Sequence, residues 1–339
     1  MMTVEKICYD PKLAIDQVAN LIAKQGNGFL IFEDQHNDKD YLVTDGDLRR
    51  AYVEKKSVLS QFVNKNPRIA LSKFSAIENE IFAKSQKLEF MLMLDEHGRV
   101  SGYQTFRPPS QHRSETVVIM AGGLGARLGD LTHECPKPML KIHGAPMIAH
   151  VIKNCVEHGF NKFIICLNYL AEKIEEYLAG EIFHYLHIST IVEPKRLGTA
   201  GALSLLDDES SENILVTNAD ILTSFDLAAF MNSHTSEACD LTVASKEVTV
   251  DISYGVLDVN SENEISGIIE KPSYAVSVSA GIYCVKKSNL KIVPKNKFYD
   301  FPEFIADLCS EGKTVRAHKI NTEWSDLGTF EDLQRARNN

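Results

Sequence analysis

Between residues 117 and 220, strand-like apolar runs alternate with helix-like segments, and this alternation limits the fold more than any other feature of the chain. VVIMAGG (117–123), FIICLN (163–168), ISTIVE (188–193) and NILVTNAD (213–220) read as strands. PMIAHVIKNCVEHG (146–159), AEKIEEYLAG (171–180) and GTAGALSLL (198–206) carry helical spacing between them. Strand, helix, strand order implies an α/β fold: a Rossmann-like, mostly parallel sheet covered by helices on both faces. Such sheets bind ligands beyond the carboxyl ends of their strands, where the first strand here runs straight into AGGLGAR.

Upstream of that strand, RPPSQHRSE (107–115) reads as a linker, so two domains are expected, residues 1–113 and 114–339. In the first, AIDQVANLIAKQ (14–25) is helical, GFLIFE (28–33) and YLVTD (41–45) are strands, and DLRRAYVEK (47–55) is helical again. SAIENEIFAKSQ (75–86), EFMLMLDE (89–96) and GRVSGYQ (98–104) then repeat helix, strand, strand. A period of about 55 residues suggests a duplicated α+β unit whose two copies bury their sheets against one another.

The formal charge of −10 argues against a nucleic-acid partner, which requires a basic face. Residues 1–113 hold 16 Lys and Arg against 15 Asp and Glu, leaving 20 against 31 of the totals of 36 and 46 for the remainder. A negative body with a few cations at one turn suits a small phosphorylated ligand held locally. Seven scattered cysteines without C-x-x-C spacing read as reduced, mostly buried thiols. No leader-like start and no apolar run of about 20 residues is present, so a soluble cytoplasmic protein without a membrane partner is expected.

The chemistry concentrates in MAGGLGARLGDLTHECPKPML (120–140). Gly122, Gly123 and Gly125 allow turn conformations in which successive amides point inward as an anion nest. Arg127 can stabilise phosphoryl charge through its fork, and Lys137, stiffened between two prolines, has a defined reach. The segment is neither a P-loop, since G-K-[ST] is missing, nor a dinucleotide fingerprint. Asp220 follows the apolar run NILV and is either a carboxylate presented at a strand end or a helix cap before ILTSFDLAAF. Asp326, in SDLG, is a second such carboxylate or a turn residue, and Lys271 is a phosphate ligand or a solvated lysine before a proline.

In combination these motifs resemble the sugar-phosphate nucleotidylyltransferases, whose first motif is a G-x-G-[TA]-R loop followed by P-K-P; Ala126 stands where Thr is commoner. EPKRLGTAGAL (193–203) is similar to that family's base-binding segment, TNAD (217–220) to its first metal site and WSDLGTFEDL (324–333) to its second. EKP (270–272) and SAGIY (279–283) resemble its sugar-phosphate segment. The resemblance implies that Ala121, Gly122, Gly123, Gly125, Glu193, Gly198 and Thr199 bind the nucleotide. It assigns catalytic roles to Arg127, Lys137 and Lys271, the sugar phosphate to Glu270, Lys271, Ser279 and Gly281, and Mg2+ to Asp220 and Asp326.

The implied reaction joins a nucleoside triphosphate and a sugar 1-phosphate into a nucleotide sugar with release of pyrophosphate. Ser279, where the family usually has Asn, leaves the sugar open. Glu193 favours GTP: a carboxylate only accepts hydrogen bonds, guanine offers adjacent N1 and N2 donors, and members reading uracil or thymine often carry Gln there. A uridylyl- or thymidylyltransferase is the alternative, as are transfer to a non-sugar phosphate and a nucleotide-sensing protein with an inactive core.

The N-terminal duplication resembles a tandem cystathionine-β-synthase-type (CBS) pair through YLVTDGDLRRA (41–51). That resemblance implies an adenine nucleotide bound by Thr44 and Asp47, with dimerisation or scaffolding as the alternative role, in a homo-oligomer. GRVSGYQTF, in the second copy, lacks the pattern. Such a pair ahead of such a core resembles bacterial enzymes of surface-glycan synthesis, among them the glucosamine-1-phosphate guanylyltransferases of legionaminic acid pathways. Trp324 is expected behind the Asp326 loop, and His133, His143, His150 and His158 show no ligand spacing. No β-helix repeats follow EDLQRARNN, so no fused acyltransferase is expected.

Overall fold

The computed structural model describes residues 5–67, 69–70, 74–106, 109, 112–206 and 210–338. Of the expected linker, Arg107, Pro108, Ser110 and Gln111 lie outside the described residues. The chain forms two compact units, residues 1–74 with 86–108, and residues 75–85 with 109–339. This division departs from a single cut at 113/114 in two ways: the boundary falls at 108/109, and one helix belongs with the second unit although the first flanks it on both sides in sequence.

The first unit contains β1 (Lys6–Cys8), α1 (Ile15–Gln25), β2 (Phe29–Asp34), β3 (Lys39–Thr44) and α2 (Asp45–Val53). After α3 (Ala76–Ser85), which belongs to the second unit, come β4 (Phe90–Leu94) and β5 (Val100–Thr105). β2 and β4 begin at 29 and 90, β3 and β5 at 39 and 100, α1 and α3 at 15 and 76, so the repeat is 61 residues, longer than expected. The return from α2 accounts for the length, because it holds a 3-10 turn at Leu59–Gln61 before Ile69 bridges Leu92 in parallel. That bridge repeats the parallel pairing of β1 with β2.

Both faces of β2 are apolar and both are covered. Leu30 and Phe32 pack on Val18, Ile22 and Leu48 of the helices. Phe29 and Ile31 meet Leu92 and Val100 of the second copy, with the Phe29 and Phe90 rings stacked at 4.5 Å. The sheets of the two copies therefore bury one another.

The second unit is built on a seven-stranded sheet whose strands run, edge to edge, His187–Val192, Phe160–Leu167, Arg113–Met120, Asn213–Asn218, Ser273–Lys286, Leu241–Asp251 and Val315–Lys319. β6 (Arg113–Met120), β9 (Phe160–Leu167), β10 (His187–Val192) and β11 (Asn213–Asn218) are mutually parallel. The hairpin of β7 (Lys141–Ile142) and β8 (Ala145–Pro146), α4 (Met147–Glu157), α5 (Ala171–Leu178) and the single turn α6 (Gly198–Gly201) fill their connections. The helix expected over 198–206 is split, since its second half is a 3-10 turn at Ala202–Leu205.

β12 (Ile221–Thr223) and α7 (Leu227–Ser236) lead into β13 (Leu241–Asp251). A two-stranded arm of β14 (Val256–Val259) and β15 (Ile265–Ile269) then returns to β16 (Ser273–Lys286). With no helix between β13 and β16, they pair antiparallel. α8 (Phe301–Ser310), β17 (Val315–Lys319), β18 (Trp324–Asp326) and α9 (Phe330–Asn338) complete the chain. The chain runs outward from β6 to β9 and β10, then recrosses to β11, which makes the carboxyl ends of β6 and β11 the switch point where ligands bind. No helix of the described residues is long and apolar enough to cross a membrane.

α3 is fastened to α4 by charge. The Lys84 ammonium lies 2.8 Å from both Glu80 and Glu157, and Lys153 lies 3.3 Å from Glu157. Lys84 is 4 % exposed. Burial opposes its charge, but the bonds to Glu157 and Glu80 outweigh it and hold its pKa above the usual lysine range. Tyr177 on α5 adds a 2.8 Å hydrogen bond to Glu78. Lys84→Met, which leaves two carboxylates facing each other, is expected to cost about 2 kcal/mol in urea unfolding, less than a fully buried pair because Glu157 is partly exposed.

Candidate active site

A cleft of about 360 Å³ opens at the switch point, within the range of small-molecule sites. The loop leaving β6 lines it with Ala121, Gly122, Gly123, Gly125 and Arg127. Lys137, Glu193, Gly198, Thr199, Asp220 and Asp326 line it as well, so eleven of the residues singled out in the sequence share one cavity.

The glycines do different jobs. Gly125 alone among the three has a left-handed backbone, φ +65°, and a side chain there would lie 2.8 Å from Thr132 Cγ2 and 3.1 Å from Lys137 Cβ. Gly122 instead makes room: a Cβ would stand 2.6 Å from Glu193 Oε1. Gly123 faces open space and is not left-handed, so the expected run of three turn-forming glycines reduces to one. The loop's far end is pinned by Tyr169, whose hydroxyl donates to the His133 carbonyl at 2.9 Å.

The carboxylates arrive by strand pairing. β12 and β18 are antiparallel with Ile221 opposite Asp326, and the Leu327 N–H donates to the Asp220 carbonyl at 3.1 Å. Asp220 is thus not a helix cap; Asp226 caps the next helix, accepting from the Ala229 N–H at 2.8 Å. Lys137 forms an ion pair with Asp220 Oδ2, while Asp220 Oδ1 is buried without a hydrogen-bond partner. Loss of surrounding water and, second, the charge of Asp220 raise the pKa of Asp326, while Lys137 and Arg127 pull it down. Trp324 ties β18 to β16, its indole N–H donating to the Ala280 carbonyl at 2.9 Å.

Glu193 is 7 % exposed and its Oε2 accepts the Leu197 N–H at 2.8 Å. Burial raises its pKa, against the pull of that bond and of Arg196. Thr199 is also committed, since its N–H and hydroxyl both donate to Asp300 Oδ1, at 2.6 and 3.0 Å. Asp300, Arg196 and Asn218 line the cleft and were not singled out. Asn218 lies inside the TNAD motif and was within reach of the sequence reading; Asp300, in FYDFPEF, reads only as the start of a helix.

The sugar-phosphate residues are not brought in. Glu270 and Lys271 are exposed at the reversal between β15 and β16, where Lys271 has φ +45°. Neither lines the cleft. Ser279 bonds the Tyr283 hydroxyl at 2.9 Å, and Gly281 backs onto the Asn218 side chain at the cleft edge. Thr44 and Asp47, in the other unit, form a reciprocal capping box at the start of α2: the Asp47 N–H donates to Thr44 Oγ1 at 3.2 Å and the Thr44 N–H to Asp47 Oδ2 at 3.0 Å. Among the described residues no group of three or more His, Cys, Asp or Glu could hold a metal. The two aspartates with one orphaned oxygen do suit a magnesium ion that keeps several waters.

Gly125→Ala is expected to lower stability by about 1–2 kcal/mol through left-handed strain and the Thr132 contact, read from a denaturant midpoint. Asp326→Asn has a signed pH signature. A carboxyl with a raised folded-state pKa contributes stability that is full below its unfolded pKa and lost as pH rises through the folded one. The variant is therefore expected to melt higher than wild type at neutral pH in metal-free buffer, with the gap closing in acid and on adding magnesium.

Residues 116–339 match the nucleotidyl transferase family. The UTP–glucose-1-phosphate uridylyltransferase of Synechocystis is 27% identical over 239 residues, covering 65% of this chain and 62% of that protein. The mannose-1-phosphate guanyltransferase of Schizosaccharomyces pombe is 31% identical over 231 residues, covering 64% of this chain and 61% of that protein. HddC from Yersinia pseudotuberculosis, solved in complex with GMP-PN, superposes with a TM-score of 0.53 at 26% identity, covering 66% of this chain and 98% of that one. The chain thus spans about three-fifths of the length of these two curated relatives. The family match takes in most of the chain and the whole of the cleft, and the chain belongs to the nucleotidyl transferase family.

Proposed function

We propose that this chain transfers a nucleotidyl group from a nucleoside triphosphate, GTP by preference, to a sugar 1-phosphate. A phosphate oxygen of the sugar attacks the α-phosphorus, a new P–O bond forms, and the bond to the β-phosphate bridging oxygen breaks to release pyrophosphate. Every participant is an anion, so the protein's task is to align them and offset their repulsion. The observation that carries the reading is the convergence of Arg127, Lys137, Asp220 and Asp326 on one cleft at the switch point.

Arg127 and the loop amides hold the triphosphate, and Lys137, fixed by Asp220, stabilises charge as it builds on the transferred phosphoryl group. Asp220 and Asp326 would hold Mg2+, which when bound supplies charge neutralisation at phosphate oxygens. Glu270, Lys271, Ser279 and Gly281 serve the sugar phosphate by family resemblance.

Relatives with guanyltransferase and uridylyltransferase names stand at similar identity, so the preference for GTP rests on the acceptor-only groups of the cleft wall. The N-terminal duplication is read as a CBS-type pair with an adenine nucleotide at Thr44 and Asp47, in a cytoplasmic homo-oligomer. Glucosamine 1-phosphate, as in legionaminic acid pathways, is the sugar substrate that this domain combination favours.

Incubation with each of four triphosphates and a set of sugar 1-phosphates, with products weighed by mass spectrometry, tests the reading. A guanosine diphosphate sugar is expected; absence of any nucleotide sugar with magnesium present sinks it. Arg127→Ala is expected to lower kcat about 100- to 1,000-fold with the melting temperature preserved.

A further inference from the structure

The wall formed by residues 193–201 is locked to residues 299–301 by a set of hydrogen bonds. The Ala200 and Gly201 N–H groups donate to the Tyr299 carbonyl at 3.1 and 2.8 Å, and the Tyr299 N–H donates to the Leu197 carbonyl at 2.8 Å. Thr199 gives both its donors to Asp300 Oδ1 and takes the Phe301 N–H on its own hydroxyl oxygen at 3.1 Å. The Asp300 N–H is held by Glu303 at 2.8 Å. This ties down the Asp300 backbone and one of its carboxylate oxygens. Both Thr199 donors go to Oδ1 and neither to Oδ2, and the side chain lines the cleft.

Two carboxylates therefore stand on the same wall, each with one oxygen fixed by a backbone N–H. Glu193 is the recessed one: it is 7 % exposed, with Oε1 set against Gly122. Asp300 is the accessible one. An ionised carboxylate can only accept hydrogen bonds. Among the bases, guanine alone carries a ring N–H beside an amino group on one edge. Uracil places its single donor between two carbonyls, which a second carboxylate would repel.

We infer that Asp300 is a specificity-determining residue that accepts a hydrogen bond from the 2-amino group of guanine. The inference rests on the nucleotidyl-transfer reading and its guanine preference, and it deepens both. Asp300 acts on base choice and touches none of the reacting atoms. A bound base takes water away from Asp300, so a base without the 2-amino group leaves that carboxylate without a donor, and a site built to bond a given N–H rejects the analogue that lacks it.

Asp300→Asn separates this role from the structural one. The amide oxygen can still accept both Thr199 donors, while the atom turned to the cleft changes from acceptor to donor. The measurement is kcat/KM for GTP against ITP, which keeps the N1–H of guanine but lacks its 2-amino group. Wild type is expected to favour GTP by about tenfold or more, and the variant to bring the ratio to within about threefold of unity. A purely structural role lowers both efficiencies alike and leaves the ratio standing. A preserved ratio in the variant overturns the inference, and so does a wild-type ratio near one, an arm that needs no variant to fold. Wild type that turns over a pyrimidine triphosphate and neither purine overturns the guanine preference together with the inference, an outcome distinct from the other two.

Discussion

Two aspartates 106 positions apart sit across one strand pair, and the cleft depends on keeping them there. Burial and, second, the charge of Asp220 raise the pKa of Asp326, and the β12–β18 ladder and the Leu327 bond hold the two residues in place against that cost. Lys137 makes the arrangement tenable by pairing with Asp220 from the opposite side. It can do so because Gly125, having no side chain, lets the loop pass close to Lys137 Cβ. The orphaned Asp220 oxygen is the remainder of this balance: a polar atom that costs stability when unpaired and has reason to persist where a ligand completes it.

The walls around that centre are rigid for a reason that lies in hydrogen-bond accounting. A one-turn helix such as α6 cannot satisfy its own first amides, and its Gly198–Gly201 segment is too short to be stable in isolation. Tyr299 and Asp300 supply the missing acceptors, so this stretch of the cleft wall is held by residues about a hundred positions later. The same bonds remove Thr199 from the groups free to meet a ligand, and Asp300 takes its place at the cleft surface.

What could be read in advance was whatever is encoded locally. Alternating apolar runs placed β6, β9, β10 and β11 to within a few residues, and the glycine loop, P-K-P and two aspartates pointed to a shared cleft. Non-local effects were out of reach. Nothing in EPKRLG says that the Leu197 amide will occupy one Glu193 oxygen, and nothing in FYDFPEF says that its aspartate will turn toward Thr199. The spacing of the duplicated elements was recognisable, but its length depended on an extended return after α2 that carries little periodicity. Lys271 was assigned by motif, and the exposed arm that carries it has no counterpart in a pattern read along the chain.

α3 belongs to the same class of non-local fact, since its partners all lie within the second unit. Its sequence repeats α1 in position, yet its buried lysine and its tyrosine-bonded glutamate are satisfied by α4 and α5. α4 packs in turn against the Lys137–Met139 turn and against β12, the strand that follows Asp220. A helix supplied by the middle of the duplication therefore braces the element that positions both members of the Lys137–Asp220 pair. A charged network is a costly way to achieve this, because each ion must be desolvated and every partner present. That cost also makes the contact unforgiving of slippage: α3 cannot shift along α4 by a turn without exchanging lysine for glutamate neighbours, so the register between them is fixed by charge as well as by fit.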